Sequence, residues 1–222
     1  IARATLVTSF TGHEAGVAAA AFSPDSQRII TAARDNTARV WDARRSLTQR
    51  ILLEQTGPVH KVVVSGDGNR IAIATQDCGL ALYDGRELVP QISHRCFSHF
   101  GPASAAFNAD GSLLAAPLDE FSVFVLDTGA GETVSHYFGH RGRVLAIAFS
   151  PAGDTIVTGG RDGTARVWEA RSCKEQLVLR GHTDRLLCVA FSPDGTLLAT
   201  GANDNTVRLW DAKTGAELHV LA

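Results

Sequence analysis

Residues 181–211 read GHTDRLLCVAFSPDGTLLATGANDNTVRLWD, and this stretch decides the fold because its key residues recur at one spacing. A Gly-His pair opens it, an Asp follows the His by 22 residues, and a Trp-Asp pair begins six residues later. The same arrangement occurs at residues 12–42 and, with Glu as the last residue, at residues 139–169. These three copies contain all three tryptophans of the chain. The protein is therefore built from a repeated unit.

Five such units fill the 222 residues. The residue before the first turn of each unit recurs at steps of 42 or 43: Phe22, Val64, Phe107, Phe149 and Phe191. The acidic residue that closes each unit keeps this step: Asp42, Asp84, Asp127, Glu169 and Asp211. The predicted repeats cover approximately residues 5–42, 49–84, 88–127, 133–169 and 175–211, with a further outer strand at 217–221.

Each unit has the pattern of a four-stranded antiparallel sheet. The segments Val144–Phe149 and Leu186–Phe191 are almost wholly apolar, which predicts a first strand buried on both faces. A tight turn such as Ser192–Gly195 follows, then a second strand, a second turn at Asp204-Asn205 and a third strand that ends at the Trp. Fourth strands are predicted at Thr5–Phe10, Gln49–Glu54, Leu88–Ser93, Thr133–Phe138, Glu175–Arg180 and Glu217–Leu221.

The spacing and the dipeptides resemble WD40 repeats, which are the four-stranded blades of a β-propeller. This resemblance predicts an all-β, WD40-type propeller of five four-stranded blades. Six predicted outer strands accompany five inner sets of three, so one strand would be surplus in a closed five-blade ring. We therefore expect residues 1–222 to be a segment of a longer propeller of about seven blades. A closed five-blade ring is the alternative.

Each complete unit also carries a Thr four residues before its Asp. The resemblance to WD40 proteins implies a hydrogen-bonded relay in which Asp accepts from His, His contacts the Thr hydroxyl, and Thr contacts the indole N–H. A catalytic triad is disfavoured because this set occurs once per unit, whereas an active site occurs once. The predicted structural sets are His13, Thr31, Asp35 and Trp41; His140, Thr158, Asp162 and Trp168; and His182, Thr200, Asp204 and Trp210.

Units two and three have lost this set together, as expected if an incomplete buried network costs more than none. Gln55 and Ser98 stand in place of His, Ile73 and Ala116 in place of Thr, and Tyr83 and Leu126 in place of Trp. We expect their blades to rely on apolar packing. Both units keep an acidic residue at the second turn, namely Asp77 and Glu120.

The bulk composition argues against several classes of function. A net charge of -2 gives no basic excess for nucleic acid, and no apolar run approaches the roughly 20 residues of a membrane-spanning helix. The chain begins with Ile1 and contains no Met, so we expect a fragment. The four cysteines lack Cys-x-x-Cys spacing and favour reduced thiols in a cytoplasmic protein: Cys78, Cys96, Cys173 and Cys188.

One cluster has the residue types of a zinc site. His94, Cys96 and His99 lie within six residues, but a fourth ligand is not evident. Because His99 precedes Phe100-Gly101 near the place where unit three should carry Gly-His, a decayed motif is the favoured interpretation. Neither a phosphate-binding loop nor a dinucleotide-binding glycine pattern occurs, so we expect no metal and no cofactor.

The resemblance implies that a partner binds where the loops before the first strand meet those between the second and third strands. Arginine is frequent at these positions, and guanidinium groups favour carboxylates and phosphates. We therefore expect an acidic or phosphorylated protein or peptide. Alternatively, these arginines are solvated or paired with Asp184, Asp119 and Glu14. The predicted partner-binding residues are Arg34, Arg143, Arg161, Arg185 and Asn203.

Together these features predict a protein–protein interaction scaffold without catalytic activity of its own. One alternative is the repeat array of a larger signalling protein whose enzymatic domain lies outside this chain. Another is a propeller with a small-ligand or catalytic site at its central channel.

Overall fold

The computed structural model describes residues 9–45, 48–54, 57–75, 79–95, 104–117 and 119–222. In these ranges it contains twenty strands, arranged as five antiparallel sheets of four, and no helix. The predicted all-β class with five four-stranded blades is therefore confirmed.

Every blade consists of four strands that are consecutive in sequence and in the sheet. Blade one contains β1 (Val17–Phe22), β2 (Arg28–Ala33), β3 (Thr37–Asp42) and β4 (Thr48–Glu54). Blade two contains β5 (Val59–Val64), β6 (Arg70–Thr75), β7 (Gly79–Asp84) and β8 (Pro90–Arg95). Blade three contains β9 (Ala106–Phe107), β10 (Leu113–Pro117), β11 (Ser122–Asp127) and β12 (Thr133–Phe138). Blade four contains β13 (Val144–Phe149), β14 (Thr155–Gly160), β15 (Ala165–Glu169) and β16 (Glu175–Leu179), and blade five contains β17 (Leu186–Phe191), β18 (Leu197–Ala202), β19 (Val207–Asp211) and β20 (Glu217–Leu221).

The hairpin turns follow the predicted chemistry. Gly195 has a φ of 73° at the end of the first turn of blade five, where a side chain would be strained. The second turns place Asn36, Gly163 and Asn205 in the left-handed region, which Asn and Gly tolerate best.

Three predicted outer strands need correction. The strand predicted at Gln49–Glu54 starts one residue earlier, at Thr48. The strand predicted at Leu88–Ser93 starts later, at Pro90, because Leu88 has a φ of 59° and its amide donates to the Asp84 carbonyl to close a turn. The strand predicted at Glu175–Arg180 ends one residue earlier, at Leu179. Of the predicted strand Thr5–Phe10, residues 5–8 lie outside the described residues, and residues 9 and 10 are not in a strand.

Four apolar clusters hold the blades together, and each lies between two consecutive blades. Alternate side chains of a strand point to opposite faces, so an inner blade contributes to two clusters. In blade four, Ile156 packs towards blade three and Val157 towards blade five. Ile73 joins blade two to blade one, and Leu82 joins it to blade three. The five sheets therefore form a continuous stack.

Blades one and five each leave one sheet face uncovered. Val17 and Phe22 of β1 are 55% and 63% exposed, and no apolar cluster of the described residues joins blade five to blade one. The five described sheets are thus not a closed ring. The prediction that Leu186–Phe191 is buried on both faces is wrong: Leu187, Cys188 and Ala190 are exposed because no described blade covers that side.

Candidate interaction face

A hydrogen-bonded relay runs from the surface into the interior of blade five. The Asp204 Oδ2 atom lies 2.8 Å from Nδ1 of His182, whose Nε2 lies 2.8 Å from Oγ1 of Thr200. The indole N–H of Trp210 donates to the same Oγ1 at 2.9 Å. If His182 carries its proton on Nδ1, every donor in the relay has one acceptor. Thr200 is fully buried, so one hydroxyl serves two otherwise unpaired groups.

The same relay forms in blades one and four. In blade one the His–Asp, His–Thr and Trp–Thr distances are 2.7, 2.6 and 2.7 Å. In blade four they are 3.1, 2.8 and 2.9 Å. The structure thus brings together all twelve side chains that the sequence places in the three sets.

The relay carboxylates also organise the surface turns. Burial raises the pKa of the Asp162 carboxyl, but hydrogen bonds outweigh burial and hold this pKa well below the usual 3.8. The donors are His140, the Arg141 amide, and Thr164 through both its amide and its hydroxyl. The sequence reasoning missed this Thr, although a Thr two residues after the Asp marks every complete unit: Thr37, Thr164 and Thr206.

A second missed feature explains the glycine of the Gly-His pair. Arg166, two residues before Trp168, forms an ion pair with Glu175 across the outer strands. A Cβ atom on Gly139 would lie 2.8 Å from Nη1 of Arg166 and 2.9 Å from the Trp168 ring. Only glycine leaves room for both side chains. The repeated signal was an Arg two residues before each Trp: Arg39, Arg166 and Arg208.

The predicted partner-binding residues lie at the same blade edge as the relay histidines. We call this edge the Gly-His face; it comprises residues 12–16, 34–36, 139–143, 161–163, 181–185 and 203–205. A backbone hydrogen bond places Arg161 beside Arg143 (2.8 Å), and another places Asn203 beside Arg185 (2.9 Å). Arg34 is bonded in the same way to Gly16. The two predicted classes of position are therefore adjacent within each of these blades.

Among the described residues, Asp184 forms no ion pair with the predicted arginines. Asp184 instead accepts hydrogen bonds from the Asn203 side chain at 2.8 Å and from the Arg185 amide at 2.7 Å. The Arg185 Nε atom is buried and has no hydrogen-bond partner among the described residues. Arg34 and Arg161 are exposed, and neither forms an ion pair with another residue that the structure describes.

A comparison with known protein families identifies the family that has this architecture. The model of the WD domain, G-beta repeat, matches residues 4–42, 131–169 and 173–211, which together make up just over half of the chain. The chain belongs to the WD40 repeat family. The three matched segments contain the complete relays, and the unmatched remainder contains the two WD40 units that lost them.

Curated relatives include the serine-threonine kinase receptor-associated protein of Gallus gallus, 30% identical over 71% of this chain and 44% of its own length. The guanine nucleotide-binding protein subunit beta-1 of Nicotiana tabacum is 28% identical over the same shares. The pre-mRNA-processing factor 19 homolog 2 of Arabidopsis thaliana is 27% identical over 76% of this chain and 33% of its own length. The WD40 chain spans less than half the length of these relatives.

The two WD40 blades without a relay differ in the polarity of the side chains buried at the Thr and Trp positions. In blade three, Ala116 and Leu126 are fully buried at the Thr and Trp positions. In blade two, Ile73 is buried, but Tyr83 keeps a buried hydroxyl with no partner among the described residues, and burial raises its pKa to about 12. The expectation of apolar packing is met in both blades, although blade two also buries one phenolic hydroxyl. Gln55, Asp77 and Ser98 lie outside the described residues.

The second turn of blade three contains two acidic residues, and the prediction for this turn named only Glu120. Asp119, and not Glu120, caps this turn: its Oδ1 atom accepts the amides of Phe121 and Ser122, both at 2.7 Å. No ion pair between Asp119 and an arginine is found among the described residues.

No group of three or more metal-ligating side chains occurs among the described residues. Cys96 and His99 of the suggested zinc cluster lie outside them, and only the backbone of His94 is described. None of the described segments forms a helix that is long and apolar enough to cross a membrane.

Replacing Thr158 by Val should lower the free energy of unfolding by about 1–3 kcal/mol. The change leaves the indole N–H of Trp168 and Nε2 of His140 buried without their shared partner. Urea denaturation measures the effect. Thr183→Val is the control, because Thr183 is exposed and only its backbone amide contacts the relay Asp. Equal stability of the two variants would contradict the structural role of the relay.

Asp162→Asn should flatten the acid dependence of stability. The native pKa of Asp162 lies below the 3.8 of an unperturbed Asp, so the unfolded chain takes up the proton first as the pH falls. The stabilisation is present above about pH 4 and is lost as the pH falls towards the native pKa. Between about pH 5 and about pH 3, the wild type should therefore lose more unfolding free energy than the variant. If the unfolding free energies of both proteins fell equally over this pH range, folding would not lower the pKa of Asp162.

Proposed function

We propose that this chain is a protein-interaction platform whose partner binds the Gly-His face. The support is physical: in blades one, four and five, the relay Asp accepts the amide that follows its His, at 2.7 to 3.1 Å. The loops that carry the candidate contacts are thereby fixed to the sheets before a partner arrives. A preformed surface loses less conformational entropy on binding.

The names of the relatives are consistent with this proposal. One is described as associated with a serine-threonine kinase receptor, and another as a subunit of a guanine nucleotide-binding protein. Both names describe association with another protein. We propose the same kind of role here, carried out without catalysis and without binding nucleic acid or membrane.

The preferred partner under this proposal is an acidic or phosphorylated peptide. The observation that carries it is Arg185, which lies on the Gly-His face and forms no ion pair among the described residues, while Asp184 accepts a hydrogen bond from Asn203. Arg143 and Arg161 meet at the same edge of the neighbouring blade. A carboxylate or phosphate would supply acceptors for planar, two-point hydrogen bonds. Arg34 and Asn203 complete the proposed contact set.

The cytoplasm is the proposed location. Cys173 and Cys188 are both free thiols with exposed side chains, which suits a reducing compartment.

The direct test measures binding of a fluorescent peptide that carries one phosphothreonine between glutamates. The triple variant Arg143→Ala, Arg161→Ala, Arg185→Ala should bind it at least about tenfold more weakly, since charge-assisted hydrogen bonds are lost. Affinity should also fall with added salt. The control is Arg86→Ala with Arg171→Ala, two exposed arginines in the turns that join the third and fourth strands. Unchanged affinity in the triple variant, or an equal loss in the control, would remove the proposal.

A further inference from the structure

The blades are tied to one another at the edge opposite the Gly-His face. At this edge, one residue of a blade presents its backbone carbonyl to the preceding blade. It is the residue that follows the acidic residue closing the unit, as Gly85 follows Asp84. The Arg28 guanidinium of blade one donates to the Gly85 carbonyl of blade two at 2.7 Å. The equivalent residue of blade two, Arg70, donates to the Thr128 carbonyl of blade three at 2.5 Å. An arginine thus fills each of these two junctions.

The third junction is tied by different donors. Leu113 of blade three occupies the position of Arg28 and Arg70 and has no group to donate. The Ser135 and Tyr137 hydroxyls of β12 instead donate to the Ala170 carbonyl of blade four, both at 2.7 Å. The carbonyl equivalent to those of Gly85 and Thr128 is therefore also hydrogen-bonded, but its donors are hydroxyl groups.

The fourth junction, between blades four and five, has neither the arginine nor the pair of hydroxyl donors. Thr155 stands at the arginine position, and its hydroxyl donates to Asp154. Leu177 and Leu179 stand where Ser135 and Tyr137 stand one unit earlier. The matching acceptor is the Ala212 carbonyl, and none of the hydrogen bonds found between the described residues reaches it from blade four.

The missing arginine leaves a groove. The cavity between blades four and five has a volume of about 550 Å³, whereas the equivalent cavity beside Arg28 has about 170 Å³. Phe191, Pro151 and Ala212 form apolar parts of its wall. The space is open to solvent and large enough to admit a side chain from another molecule.

The groove is also negatively charged. Asp154, Asp194 and Asp211 line it, with Lys213 as the one cationic residue among its lining side chains. Hydrogen bonds led by the Ser192 hydroxyl and by the Thr214 amide lower the pKa values of Asp194 and Asp211, respectively, so both are ionised at neutral pH.

Each of these three carboxylates uses its Oδ1 atom to accept bonds from its own turn. The Oδ2 atoms take part in none of those bonds and remain as acceptors for a cation.

We propose that this groove binds the arginine side chain of a partner protein. The bound guanidinium donates to the Ala212 carbonyl and to one of the carboxylates, and so copies the internal contacts of Arg28 and Arg70. Arginine is favoured over lysine because its planar fork presents several donors that reach two acceptors at once. The site is separate from the Gly-His face and selects the opposite charge.

The test is an NMR titration of the 222-residue chain with the peptide acetyl-Ala-Arg-Ala-amide. Shifts should concentrate at the amides of Gly195, Thr196 and Lys213. The Lys and citrulline versions of the peptide should bind about tenfold more weakly, because each loses a charge-assisted contact. Equal binding of all three peptides, or shifts spread over the whole chain, would overturn the proposal.

Two variants locate the site. Thr155→Arg should supply the missing internal arginine and abolish peptide binding, while Asp154→Asn with Asp194→Asn should weaken it about tenfold. The matched control is Leu197→Arg, which adds the same charge at the equivalent position of blade five, where the side chain does not line the groove. Binding that survives Thr155→Arg, or that is lost equally in Leu197→Arg, would contradict the assignment. The test is independent of the arginines at the Gly-His face, so either proposal can fail alone.

Discussion

One threonine hydroxyl in each complete blade makes the burial of an imidazole and an indole N–H tolerable. An unpaired polar group in a protein interior costs about 1–3 kcal/mol, and without this hydroxyl each complete blade would hold two of them. Since the His comes from the loop before the first strand and the Asp from the second turn, the same contact fixes two surface loops to the interior. The shape of the Gly-His face therefore follows from a contact within the sheet.

The opposite edge shows a different way of satisfying polar groups between blades. Three of the four described junctions pair the exposed carbonyl with a donor from the preceding blade, either arginine or a pair of hydroxyls. These ties supplement the apolar clusters between the blades. The absence of such a tie among the described residues distinguishes the fourth junction from the other three.

The sequence predicted the contacts that recur within each unit, but few of the contacts between neighbouring blades. The spacing of His, Asp and Trp predicted the sheets, the turns and the relays, because these contacts form within one unit. The ion pair between Arg166 and Glu175 could also have been predicted, because an Arg stands two residues before the Trp in every complete unit. The link from Arg28 to Gly85 spans 57 residues and depends on how two sheets dock. Leu187 is exposed because no described blade covers its side of the sheet, and no local sequence pattern encodes such a contact.

Hydrogen–deuterium exchange of the three indole N–H protons, followed by NMR, tests the central claim most directly. Trp41, Trp168 and Trp210 are the only tryptophans, so each signal reports one relay. If the threonine hydroxyls hold these protons in buried hydrogen bonds, all three should exchange more slowly than the amides of the surface turns. Exchange of the indole protons within the dead time, in a protein whose strand amides remain protected, would contradict the account.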